Sequence, residues 1–238
     1  MKKSIKVVSI LNVLLLLSVF LIGCDNTDTL TEKKVFSIKD VPIYSDEPYI
    51  IMNDNTPYFS DEDMDVKSFE KYSSLDYLDR CGVATASVGI DIMPTEDRKS
   101  ISSVYPTGWE QEKYDIISGK YLYNRCHILG FQLTGENANK ENLITGTHQL
   151  NIDGMLPFEN MVADYVKETS NHVYLRVSPI FEDDNLLATG VLMEAKSIED
   201  DGDGIMFNVF CYNAQQGITI DYATGKSVKS KWKFHKIF

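Results

Sequence analysis

Residues 123–130 read Tyr123-Asn124-Arg125-Cys126-His127-Ile128-Leu129-Gly130. The run Lys120-Tyr121-Leu122-Tyr123 that leads into them is strand-like. In an extended segment, residues two apart project to the same face, so Arg125 and His127 share a side. Asn151 follows His127 by 24 residues, in Gln149-Leu150-Asn151, and Glu159 comes 8 residues later, in Leu156-Pro157-Phe158-Glu159. An imidazole with an ordinary pKa of about 6.5 can take a proton from water at neutral pH. A guanidinium meets a phosphate in a planar, two-pronged way. Amide and carboxylate oxygens suit a hard Mg²⁺ ion that keeps most of its waters. The four side chains together suit metal-assisted cleavage of a phosphodiester.

Each has a plainer use. A lone histidine is more often a core group bonded to a carbonyl, and Arg125 could form a structural ion pair with one of the many acids. Asn151 could cap a helix or turn. Glu159 could complement a helix dipole. It is their order along the chain that favours the chemical reading.

Pro157 opens the clearest helix. Phe158, Met161, Val162, Tyr165 and Val166 form one apolar stripe, and proline is well placed in a first turn, where an amide hydrogen has no helical partner. After Asn171 the pattern is β, with runs at 173–177, 187–195, 205–211 and 218–222 that predict an antiparallel meander. Upstream, the small alternating residues from Cys81 to Gly89 predict a close-packed interior strand. Residues 94–109 read as a long surface loop that holds Arg98, and residues 60–71 as a charged stretch with a helix start at Ser60-Asp61-Glu62-Asp63.

Lys2, Lys3 and Lys6 precede an apolar run to Ile22, too short for a comfortable membrane span and suited to an export signal. Its end, Leu21-Ile22-Gly23-Cys24, resembles a bacterial lipoprotein cleavage box, with a lipid expected on Cys24. The expected organisation is a signal over 1–23, a polar tether over 24–40 and one domain over 41–238, which is ample for a core. The protein is then exported and anchored at a membrane or cell surface, or released. Cys81, Cys126 and Cys211 remain, an odd number that cannot all pair within the chain.

Net charge is −12, and −15 without the three signal lysines (20 basic against 35 acidic residues). Bulk electrostatics therefore oppose nucleic-acid binding, and any such substrate needs a locally positive groove. The main basic cluster lies at Lys226, Lys229, Lys231 and Lys233, around Trp232. Asp201-Gly202-Asp203-Gly204 lacks the closing acid of a calcium loop and reads as a hairpin turn.

The ordered set Asn124-Arg125-Cys126-His127, Asn151 and Glu159, with Met93-Pro94-Thr95, Pro106-Thr107-Gly108-Trp109 and Asn142-Leu143-Ile144, resembles the DNA/RNA non-specific endonucleases, a ββα-metal (His-Me finger) family. The resemblance covers about residues 75–225. It implies an α+β fold, a central antiparallel sheet carrying a ββα-metal motif from about Tyr121 through the helix after Pro157. It also implies a Mg²⁺-dependent endonuclease, with Mn²⁺ as a substitute, acting on DNA or RNA and leaving 5′-phosphate and 3′-hydroxyl ends. On this reading His127 is the general base, Arg125 neutralises the phosphate, Asn151 is the direct metal ligand and Glu159 orders the metal's waters. Asn124 and Arg98 are substrate-binding candidates. The family tetrad has Asp and Gly where this chain has Asn124 and Cys126, and Cys126 either packs inward or crowds the phosphate. Those departures and the acidic surface leave a second expectation, a catalytically inactive surface lipoprotein of the same fold that binds a polymer or partner.

Overall fold

The computed structural model describes residues 34–230. The expected signal segment, Cys24, and Lys231, Trp232 and Lys233 lie outside the described residues.

Six antiparallel strands form the main sheet, in the order β1 (Tyr49–Ile51), β8 (Met206–Tyr212), β7 (Gly190–Ser197), β6 (Val173–Ile180), β3 (Ala84–Val88) and β2 (Phe69–Tyr72). The expected meander is therefore present as β6-β7-β8. Alternation sorts its two faces. Ala86, Leu175, Ala195 and Phe207 stand side by side across four strands and belong to the main core. The next row, Thr85, Arg176, Glu194 and Asn208, faces the other way. There Glu194 is fully buried and takes a bidentate pair of bonds from Arg176 at 2.7 and 2.9 Å, plus the Tyr58 backbone amide. A buried carboxylate needs such a full set of donors. On that second face Phe36 stacks on Phe210, and Ile38 and Val41 pack alongside. Packed structure thus begins within the stretch read as a tether.

The helix expected after Pro157 is α2 (Leu156–Thr169), numbered after the short α1 (Phe131–Thr134). Phe158, Val162 and Val166 are buried against the sheet, whereas Met161 is half exposed and Tyr165 turns its hydroxyl to Asp200. The stripe is narrower than its spacing suggests because one sheet face covers only one side of the helix.

Three expectations about elements change. Residues 60–63 do carry a capping box, but it closes a single 3₁₀ turn (Asp61–Asp63), and Phe69–Tyr72 pair with β3 instead of continuing a helix. The run at 218–222 leaves the meander. It forms a separate ribbon of β9 (Ile218–Ile220) and β10 (Ser227–Lys229), because Ile218 is buried with Leu122, Tyr123 and Leu187 in a third cluster. The strand-like run expected from Lys120 begins as a regular strand only at Tyr123, since Lys120 holds a left-handed φ of 69°.

The decisive stretch is β4 (Tyr123–His127), paired with β5 (Leu143–Thr147) in a two-stranded sheet of its own. From β5 the chain passes through a π-helical segment, Leu150–Met155, straight into α2. Strand, strand and helix therefore succeed each other as the ββα arrangement requires. Within the hairpin the two strands pack closely at Gly146 on β5, where a Cβ would lie 2.7 Å from Cys126 Cβ on β4.

One buried amide joins the hairpin to the main sheet. Asn213 Nδ2 donates to Thr145 O (3.0 Å) and Ala188 O (2.9 Å), and its Oδ1 accepts from Thr147 N (2.8 Å). Replacing Asn213 with Ala strands two carbonyls and an amide in the interior. Each buried unsatisfied group costs on the order of 1–3 kcal/mol, so urea unfolding should show a loss of roughly 3–5 kcal/mol, near the upper end for one substitution.

Candidate active site

The long segment between β3 and β4, strand β4 and the π-helical segment meet at an open cleft of about 580 Å³. Arg98, Asn124, Arg125 and Asn151 all line it. Arg98 comes from the surface loop, Asn124 and Arg125 from β4, and Asn151 from the π-helical segment. A π turn widens the helix by one residue and is frequent at functional sites.

His127 is buried at the end of β4. Its Nε2 lies 2.9 Å from the backbone oxygen of Asn137 and its Nδ1 lies 3.2 Å from Arg98 Nη2. A carbonyl oxygen can only accept, so Nε2 carries the hydrogen. Arg98 can only donate, so Nδ1 keeps its lone pair. Two neighbours thus set one tautomer, with the basic nitrogen turned to the cleft cation. Burial pulls the His127 pKa below its ordinary value, and Arg98 pulls the same way against the raising effect of the Asn137 carbonyl. The ring is neutral at pH 7 and available as a base.

Glu159 sits in the first turn of α2, over Gly130. A Cβ on Gly130 would fall 2.5 Å from Glu159 Oε2, so only glycine leaves space for the carboxyl there. Burial pushes its pKa up to about 7, with Arg98 and Gln132 opposing the rise. Arg98 therefore acts electrostatically on both the base and the acid.

Among the described residues Arg125 forms no ion pair with an acid, the plainer use that its sequence context allowed. Its Nε donates to Val104 O, and its guanidinium lies 4.2 Å from the Trp109 ring centroid and 5.0 Å from that of Tyr105. It is wedged between aromatic faces at the cleft wall instead of forming an ion pair. Asn124 Nδ2 is buried with no hydrogen-bond partner among the described residues. Such an orphan is the kind of group that a bound water or ligand satisfies. Cys126 takes the inward course, 1% exposed with Sγ 3.6 Å from Met155 Sδ, so it does not crowd the cleft.

Among the described residues no group of three or more His, Cys, Asp or Glu side chains could hold a metal ion. The residues expected from the sequence to serve a metal, Asn151 and Glu159, supply one amide and one carboxylate. That set is too sparse for a closed zinc site and fits a hard divalent cation that keeps most of its water.

The contact between Arg98 and His127 was not legible in the sequence, because 29 residues separate them and Arg98 stands in a loop with no periodicity. The π turn was equally hidden. Gly130, five residues after Arg125, was the one available signal for the seat of Glu159.

A family model described as DNA/RNA non-specific endonuclease matches residues 60–199. Among solved structures the chain is similar to NucA from Streptococcus agalactiae with no metal bound, at 24% identity and a TM-score of 0.68, covering 81% of this chain and 92% of that one. The same protein with magnesium ion bound gives 24% and 0.67. Sda1 nuclease with bound zinc ion gives 23% and 0.66, covering 77% of this chain and 97% of that one. At these identities the likeness carries the fold: a central antiparallel sheet with few helices.

A carbon-13 titration of the metal-free protein should find the Glu159 carboxyl protonating near pH 7 and moving higher in Arg98→Ala. The folded value lies above the ordinary 4.5, so the folded state is the better proton binder between pH 4.5 and 7. Stability is present below that window and is lost as pH rises through it. Glu159→Gln should accordingly raise the melting temperature at pH 8 and change it little at pH 4.

Proposed function

This chain belongs to the DNA/RNA non-specific endonuclease family, and on that premise we propose that it is a divalent-metal-dependent endonuclease that hydrolyses phosphodiester bonds of DNA, with RNA as an alternative substrate. Its place is outside the cytoplasm, tethered through a lipid on Cys24 or released. The tether rests on the sequence of residues 1–24 alone.

The observation that carries the reading is the fixed tautomer of His127. A neutral imidazole with Nδ1 free of hydrogen is ready to take a proton from water, and the Asn137 carbonyl, bonded to Nε2–H, stabilises the imidazolium that forms. Arg98 presently covers Nδ1. An incoming phosphate gives that guanidinium a better partner, and its departure opens Nδ1 to the attacking water. Arg98 thereby neutralises the phosphate as the base is unmasked, while Arg125, immobilised between Tyr105 and Trp109, adds fixed positive charge to the cleft wall. Asn151 is assigned as the direct protein ligand of the metal and Glu159 as the acceptor that orders its waters. When bound, such an ion supplies positive charge to the departing 3′-oxygen. Glu159, protonated near neutral pH without it, ionises beside that added charge.

Purified protein should nick and then smear supercoiled plasmid with Mg²⁺ and leave it intact with EDTA. His127→Ala should lose about 10²–10⁴-fold in rate. The acid limb of the wild-type rate profile should have its midpoint below the ordinary histidine value of 6.5, because the base pKa is depressed. Absence of cleavage with Mg²⁺ and Mn²⁺ alike would leave the inactive binding lipoprotein as the better reading, which the acidic balance of −12 also fits.

A further inference from the structure

The mechanism uses the cations of the cleft and gives its aromatic wall no contact with the substrate. Tyr105 is 71% exposed and Tyr121 is 48% exposed, and both line the cleft beside Arg98, Arg125 and Asn151. Large aromatics left in solvent need an explanation when they cluster. Each ring also has a cation against it. The Arg125 guanidinium lies 5.0 Å from the Tyr105 centroid, and Lys113 Nζ lies 4.6 Å from that of Tyr121. Tyr121 is held further by the bridge between its backbone and that of Lys113, and Arg125 is itself anchored to Val104 O. The cations therefore brace the rings, which remain about half or more in solvent.

We propose that Tyr105 and Tyr121 form a nucleobase-stacking subsite flanking the scissile phosphate, and that it gives the protein a preference for single-stranded nucleic acid over the duplex it also cleaves. This rests on the nuclease reading above and names its substrate. Stacking on a protein ring requires an unpaired base with a free face, whereas the bases of a duplex are already stacked on one another. Stacking is also tolerant of sequence, because every base has a π-face. It further answers the charge problem. In a chain of net charge −12 phosphate contacts act through the few local cleft cations, and contacts between rings and bases add affinity that does not depend on charge.

The test compares wild type with Tyr105→Ala, Tyr121→Ala and the two Phe variants. The substrates are a single-stranded oligonucleotide, the same strand with abasic residues around one phosphate, and the corresponding duplex. Expected is a loss in kcat/KM on the intact single strand of roughly 5- to 150-fold per alanine, the equivalent of about 1–3 kcal/mol per stacked base. The loss should lie in KM, the abasic strand should show little change, and Phe should restore the wild-type values. Equal losses on intact and abasic strands, or no loss with alanine, would overturn the subsite. A wild-type preference for duplex over single strand would overturn the substrate class. The subsite does not require turnover to be seen. With His127→Ala in EDTA, fluorescence titration with the intact strand should give weaker binding when Tyr105→Ala is added, and the abasic strand should not. Failure of cleavage with retention of this difference would reject the nuclease reading alone, and loss of the difference would reject the subsite alone.

Discussion

The side-chain amide of Asn213 is the constraint on which the site depends. The ββα unit and the six-stranded sheet share no strand, so their relation must be set by other means. Asn213, at the end of β8, bonds to both Thr145 and Thr147 on β5 and to Ala188 ahead of β7. Thr147 passes the connection on, donating to Ala214 O and accepting from Leu150 N at the start of the π turn. Through two side chains, the main sheet fixes the strand opposite Arg125 and the turn that carries Asn151. A second fully buried amide, Asn142, grips both the N–H and the C=O of Leu129 just after His127. Local hydrogen bonds, not packing alone, thus hold the functional side chains to the register that their chemistry needs.

Within the cleft the electrostatics are economical. One guanidinium, Arg98, touches the basic nitrogen of His127 and lowers the pKa of Glu159 against its burial. An acidic protein places its few cleft cations where each influences more than one group. The opposite arrangement, a broad basic surface, would bind product as well as substrate and slow release.

Much of this was written in the sequence, because some constraints are local and periodic. Proline at 157 and the spacing of Phe158, Val162 and Val166 specify α2 with little help from tertiary structure. Alternation specified β6, β7 and β8, and the order of Arg125, His127, Asn151 and Glu159 suggested the ββα unit before any coordinate. What stayed hidden was set by distant partners. The run at 218–222 has a strand pattern whose pairing partner, β10, lies beyond a turn and outside the main sheet. The sandwich of Arg125 between Tyr105 and Trp109 comes from an irregular loop, where no period exists to be read. Phe36 docks on Phe210, 174 positions away, inside a polar stretch that composition alone marks as a leader.

Among the described residues three thiols lie inside the fold, Cys81, Cys126 and Cys211, all buried and none joined to another there. Burial pushes the Cys81 pKa up to about 12 and raises the other two further above the ordinary thiol range. The thiolate is the form that attacks disulfides and oxidants, so native thiols of this kind are chemically silent. The hazard is confined to the time before folding is complete. In an oxidising compartment the protein would be in a race between collapse and oxidation, and a slow-folding variant would accumulate wrongly linked chains even where its finished structure was perfectly sound.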